Sequence, residues 1–269
     1  MAIYDVHAHI YPDAIAPRAV EAVGHFYGDA PIQGSGTAQQ LLSQVASTPI
    51  NQVVVHSVAT TAHAVTSINN FIAEQCRLHP QFIGFMAMHQ DFPDPEAEIE
   101  RALGLGLRGM KLHPDTQGVA VDDPRMMRIF EIIEGRLPVI VHTGDFRFDF
   151  SSPHRLVNVL KAFPNLTIDA AHFGYWSCCD RGWDGLRDQA ERNPNLFVDC
   201  SSSLYALGQR HFVELVRLWG ADRVMFGSDY PMWSPADEYR LVATSGLTDD
   251  ELDALFTRTP ERFLSSLRQ

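Results

Sequence analysis

Positive charge is scarce in this chain: 21 lysines and arginines face 33 acidic residues among 269, a formal net charge of −12. A surface of that sign repels phosphate backbones and anionic lipid heads, which argues against nucleic acid and membrane surfaces as partners. Cysteine is scarce too. Cys76, Cys178, Cys179 and Cys200 are too few for a disulfide framework at this length and lack the CxxC spacing of a zinc ribbon, so they read as reduced thiols. No apolar run approaches the roughly 20 residues that cross a bilayer, and no basic segment precedes an apolar one at the N-terminus; a cytoplasmic protein is expected. A glycine-rich phosphate loop is also missing. "GLGLRG" precedes a strand rather than a helix, and the first strand runs into "HAHIYPD", without the glycines of a dinucleotide-binding turn.

What is present is repetition. Hydrophobic residues make up 45% of the chain, enough for a large core. Eight short runs rich in Val, Ile, Leu and Phe recur at residues 3–9, 52–58, 82–89, 107–113, 138–144, 166–172, 196–202 and 223–229. Between them lie stretches of helical period such as "DPRMMRIFEIIEGR" and "HRLVNVLKAF". "DPEAEIERALGLG" adds a start signal, with Asp94 as N-cap and Pro95 in the first turn, and Thr248 with Glu251 can form a capping box. Eight strand–helix units in about 250 residues predict an α/β fold of the (β/α)8 TIM-barrel type, as a single domain over residues 1–269. Residues 10–50, which include "IQGSGTAQQ", are expected to form a loop plus a helix over the barrel mouth.

The histidines follow this repeat. His7, His9, His56, His89, His113, His142 and His172 all fall at or just before the C-terminal end of a proposed strand, the rim where active sites of this fold sit. His7 and His9, two apart on a strand, point the same way. His56 and His89 read as hydrogen-bonded wall residues. The combination of His7, His9, His142, His172 and Asp229 offers imidazole nitrogens and a carboxylate, a donor set that suits a divalent metal, zinc above all, with a position left open for water.

The motifs "DVHAHIYP", "VIVHTGD", "AAHFG" and "MFGSDYP" resemble the amidohydrolase superfamily, in its amidohydrolase-related branch that includes aminocarboxymuconate semialdehyde decarboxylase. The resemblance implies that His7, His9 and His142 bind the metal, with Asp229 as ligand and proton acceptor. By the same resemblance His172 either orients water and substrate or binds a second ion. On strand 4, "GMKLHPD" places Lys111 and His113 on one face. A carboxylated Lys111 would bridge two metals; as an ammonium it would hold a substrate carboxylate, with His113 adding a hydrogen bond. The nearest one-metal relatives use no strand-4 ligand, so one Zn2+ is expected, a second remaining open. Where many relatives have a second glycine, "HFGYW" places Tyr175 and Trp176, which would fill part of the pocket.

The expected chemistry is hydrolysis of an amide, ester or lactone in a small, carboxylate-bearing substrate. The rivals are cofactor-free decarboxylation of an unsaturated or aromatic acid and a non-catalytic, metal-stabilised binding module. Decarboxylating relatives tend to be longer, and this compact chain tilts the expectation to hydrolysis. Arg147 offers a two-pronged grip on a carboxylate; an ion pair with Asp145 or Asp149 is the alternative. Tyr230 and Trp233 would line an apolar wall or simply pack. The resemblance also implies pairwise association, a homodimer, although no residue marks the interface.

Overall fold

The computed structural model describes residues 1–175 and 183–265; Trp176, Cys178 and Cys179 lie outside the described residues. Eight strands form one parallel sheet in sequence order: β1 Tyr4–His9, β2 Gln52–His56, β3 Phe82–Ala87, β4 Gly109–Leu112, β5 Val139–Val141, β6 Ile168–Ala170, β7 Leu196–Asp199 and β8 Val224–Met225. The last strand returns to the first, where the Val6 amide donates to the Phe226 carbonyl at 2.9 Å and the Asp229 amide to the His7 carbonyl at 2.8 Å. This is a (β/α)8 barrel. Around it, in order, run α1 Ala16–Phe26, α2 Ala38–Val45, α3 Val65–Leu78, α4 Pro95–Gly104, α5 Pro114–Gln117, α6 Pro124–Ile133, α7 Pro153–Ala162, α8 Trp183–Ala190, α9 Leu204–Trp219, α10 Pro235–Ala243, α11 Asp249–Asp253 and α12 Thr259–Ser265. No described helix is long and apolar enough to cross a membrane.

The local signals act as their chemistry requires. Asp94 accepts the Ala97 amide at 3.1 Å and opens α4, and the Thr248–Glu251 capping box opens α11. On α6, Met126, Ile129, Phe130 and Ile133 are buried at helical spacing. The strands are apolar on both faces because both are covered. One face packs against the helices; the other fills the barrel with Val6, Val54, Phe85, Ile140, Ala171, Phe197 and Met225, and Phe263 of α12 closes the end away from the histidines. Gly109 leaves the space that the Phe85 ring occupies.

Two backbone features set the functional rim. In β1, Asp5 pairs with Val53 and Ala8 with Val55, so the strand carries one extra residue, a bulge. Val6 therefore belongs to the barrel interior while His7, next in sequence, also turns to the mouth. At the far ends of the short strands β6 to β8, His172, Phe173, Ser202 and Asp229 adopt left-handed φ values of 62°, 55°, 56° and 57°. Such conformations cost non-glycine residues energy and gather at functional sites.

Residues 10–50 form two helices rather than a loop and one helix. Pro17 sits in the first turn of α1, and Thr37 caps α2 through the Gln40 amide. The "QGSG" segment between them is tied down: the Gln33 amide donates to Met232, the Gly34 amide to Pro231, and the Tyr11 amide to Gly36.

Candidate metal centre

A cavity of about 530 Å3 opens at the C-terminal end of the barrel. His7, His9, His113, His142 and Asp229 contribute to its lining. These residues come from β1 and from the segments that leave β4, β5 and β8, so barrel closure, not sequence proximity, assembles them.

Asp199 organises the polar cluster behind the cavity. Its Oδ2 accepts a hydrogen bond from His7 Nδ1 at 2.6 Å, and its Oδ1 accepts from Ser201 Oγ at 2.5 Å, the Ser201 amide at 3.0 Å and the His172 amide at 3.1 Å. Burial alone would raise this carboxyl, yet His7, through its charge and its hydrogen bond, holds it well below the usual range. With the proton on Nδ1, the tautomer that a metal ligand needs, His7 has Lys111 Nζ 3.0 Å from the lone pair of its Nε2. That nitrogen lies 3.6 Å from Asp229 Oδ1, and His9 Nε2 lies 3.6 Å from the same oxygen.

Asp229 is oriented from behind. Ser202 Oγ donates to its Oδ2 at 2.5 Å, and Trp233 Nε1 donates to Ser202 Oγ at 2.9 Å. Burial pulls His9 and His142 well below the ordinary imidazole range and takes His172 down to about 4, so these rings are neutral near pH 7. Neutral imidazole is the ligating form.

His142 Nδ1 lies 3.0 Å from His172 Nε2, its Nε2 lies 3.7 Å from Asp115 Oδ2, and its ring stacks on His113 at 3.8 Å. Asp115 accepts from Ser151 Oγ at 2.5 Å, and burial pushes its carboxyl up to about 7. His113 is held at both ends. Its Nδ1 accepts the Thr116 amide at 3.4 Å and its Nε2 bonds Tyr27 Oη at 2.9 Å.

Several other sequence candidates lie back from the cavity. Lys111 is buried, its Nζ 3.0 Å from His7 Nε2, and burial draws its ammonium down to about 8. His172 stands behind His142. Arg147 pairs with Asp145 at 2.5 Å, donates to the Phe26 carbonyl and lies over the Phe26 ring at 4.8 Å, so it pins the C-terminal end of α1. Tyr175 packs on Trp183 at 4.9 Å, and Tyr230 donates to the Thr37 carbonyl at 3.0 Å. His89 accepts the Asp91 amide at 3.2 Å, as a wall residue does.

Sequence reasoning passed over Asp199, Asp115, Ser201, Ser202 and Tyr27, and read His56 as a wall residue. The His56 ring centre lies 4.4 Å from that of His9 and 5.0 Å from that of His7, and neither of its ring nitrogens has a hydrogen-bond partner among the described residues. Its place at the end of β2 was the available signal.

The amidohydrolase family profile matches residues 4–265. The chain belongs to the amidohydrolase family. No curated relative matches its sequence. Among solved structures it is similar to an uncharacterised TIM-barrel protein of Bordetella bronchiseptica (22% identity, 100% of both chains, TM-score 0.77). It is also similar to 5-carboxyvanillate decarboxylase of Novosphingobium aromaticivorans, complexed with manganese (17% identity, 98% of this chain and 96% of that one, TM-score 0.75). A third is a Pseudomonas putida protein described as a candidate 2-pyrone-4,6-dicarboxylic acid hydrolase (17% identity, 100% and 99%, TM-score 0.69).

Amidohydrolases are metal-dependent, and the donors here fit a divalent ion. Two ligands each about 2.1 Å from one ion stand roughly 3–3.6 Å apart, the spacing that Asp229 Oδ1 keeps from His7 and from His9. The orphaned His56 nitrogens beside them add unspent donor capacity.

The acidic surroundings of this amidohydrolase site have a stability consequence. Burial, with Asp229 and Asp237 nearby, pushes Glu238 of α10 from 4.5 to about 7. The folded chain then holds this proton more tightly than the unfolded chain does. Stability falls as pH rises from about 4.5 to about 7, and the loss is complete above that window. Glu238→Gln is therefore expected to stabilise by about 2–3 kcal/mol near pH 8 and to change little near pH 4, as read by urea denaturation at both pH values.

Proposed function

We propose that this amidohydrolase hydrolyses the acyl C–O or C–N bond of a lactone, ester or amide in a small molecule, using one divalent cation, Zn2+ by its donor set. The supporting observation is that Asp229 Oδ1 faces both His7 Nε2 and His9 Nε2 at 3.6 Å beside a cavity that admits a small molecule. His7, His9, His142 and Asp229 are the proposed ligands. A cation held there supplies Lewis acidity, polarising a carbonyl and lowering the pKa of water from about 15.7 towards 7.

The chain's own groups do the rest. The Asp229 carboxylate takes the proton of the attacking water and returns it to the leaving group, while Ser202 fixes Oδ2 and so the direction of Oδ1. Asp199 keeps His7 in its ligating tautomer. His172 acts through His142 as a positioning residue. Lys111, buried beneath His7, sets local charge rather than gripping substrate, and Arg147 braces α1.

A second reading, decarboxylation, draws support from the fold neighbour named 5-carboxyvanillate decarboxylase. Metal-loaded protein assayed in parallel on neutral lactones, esters and amides and on aromatic and unsaturated acids separates the two. Acid release from the first panel is expected. CO2 from the second panel, with no hydrolysis of the first, would replace hydrolase with decarboxylase, and inertness on both would leave a binding module.

A further inference from the structure

The wall of the cavity facing the metal centre is hydrocarbon. From α1 and the residue before it come Ile15, Ala19, Val23 and Phe26, spaced so that they form a single stripe along the helix. From the start of α3 come Ile68 and Phe71, three apart on the opposite side. A surface helix ordinarily turns such a stripe to the core. Here α1 buries only Ala16 and Gly24, Val23 and Phe26 are half-buried, and Ile15 is 49% exposed. The fold thus leaves two apolar stripes facing one space whose far end carries His9, His142 and Asp229. Apolar surface left uncovered at a site marks the part of a ligand that covers it.

Arg147, offered by the sequence as a grip on a carboxylate, is spent on Asp145 and on the Phe26 carbonyl, and Lys111 is buried beneath His7. We infer that the substrate is a carbonyl compound with an uncharged alkyl or aryl body, seated between α1 and α3, whose only polar end is the group delivered to His9 and Asp229. This replaces the carboxylate-bearing substrate expected from the sequence. It rests on the proposed function for the identity of the reacting end, not for the apolar body.

Straight-chain hydroxamic acids test the inference without turnover, because the hydroxamate head anchors on a cation and the tail samples the wall. Their binding to the zinc-loaded protein is read by titration calorimetry. Affinity is expected to rise about fourfold per methylene until the space is filled. Suberic acid monohydroxamate, which ends in a carboxylate, should bind at least about tenfold more weakly than the alkyl hydroxamate of equal length. Ala19→Phe should move the optimum to a shorter tail. A flat length series, tighter binding of the carboxylate-ended probe, or no binding at any length would overturn the inference. If the length series holds while no ester, lactone or amide is hydrolysed, the hydrolytic reading fails and the apolar seat stands; if esters are hydrolysed and the series is flat, the reverse is true.

Discussion

Asp229→Asn is expected to lower kcat for hydrolysis by about a thousandfold or more while the protein still binds its cation. An asparagine whose oxygen takes the Oδ1 place, facing the cation, turns its NH2 to Ser202 Oγ, which can accept from it, and the left-handed backbone at this residue, φ 57°, is one that asparagine tolerates. What disappears is basicity. General acid–base groups contribute about 10²–10⁴ in rate, and here one carboxylate both accepts and returns the proton, which places the loss at the upper part of that span. Steady-state kinetics with metal analysis of the same sample checks it. A variant with full metal and near-normal kcat would remove Asp229 from the chemistry.

Asp199→Asn acts earlier in the chain of causes. The carboxylate accepts four hydrogen bonds, three on Oδ1 and one, from His7, on Oδ2. An asparagine that satisfies the three with its oxygen turns its NH2 towards His7 Nδ1. Two donors then face each other, and the imidazole escapes by moving its proton to Nε2, the nitrogen proposed to ligate. Metal affinity is expected to fall about 10- to 100-fold, measured by competition with a coloured chelator. The metal-depleted variant should also lose about 1–3 kcal/mol, because a buried group is left with a mismatched partner. Unchanged affinity would mean that His7 does not reach the cation through Nε2.

Both variants concern residues of different legibility. Asp229 was visible in the sequence because "MFGSDYP" closes the eighth repeat. Asp199 was not, because one aspartate in "LFVDCSS" looks like any polar residue ending a strand. Its importance arises only when the barrel closes and carries residue 199 to residue 7, which is tertiary information. The same holds for Ser202, whose part depends on the left-handed turn that directs it at Asp229.

The strand–helix repeat was readable since hydrophobic period and capping chemistry are local: Asp94 and Thr248 start their helices where their side chains can take up unpaired amides. The helix α1 was not separated from its loop, because a stripe at residues 15, 19, 23 and 26 with little burial of its own gains its shape from the barrel mouth. Arg147 offered two partners on paper. Asp145, two residues away and buried, prevails, since a paired guanidinium there also stacks on Phe26. Lys111 sits on the expected strand and face, yet its ammonium stops beneath His7.

A crystal of zinc-loaded protein, measured for anomalous scattering on both sides of the zinc edge, tests the convergence most directly. The expected result is one strong peak within about 2.0–2.2 Å of His7 Nε2, His9 Nε2, Asp229 Oδ1 and a ring nitrogen of His142. A map with no peak there, or with the ion held instead between His113 and Asp115, would contradict it.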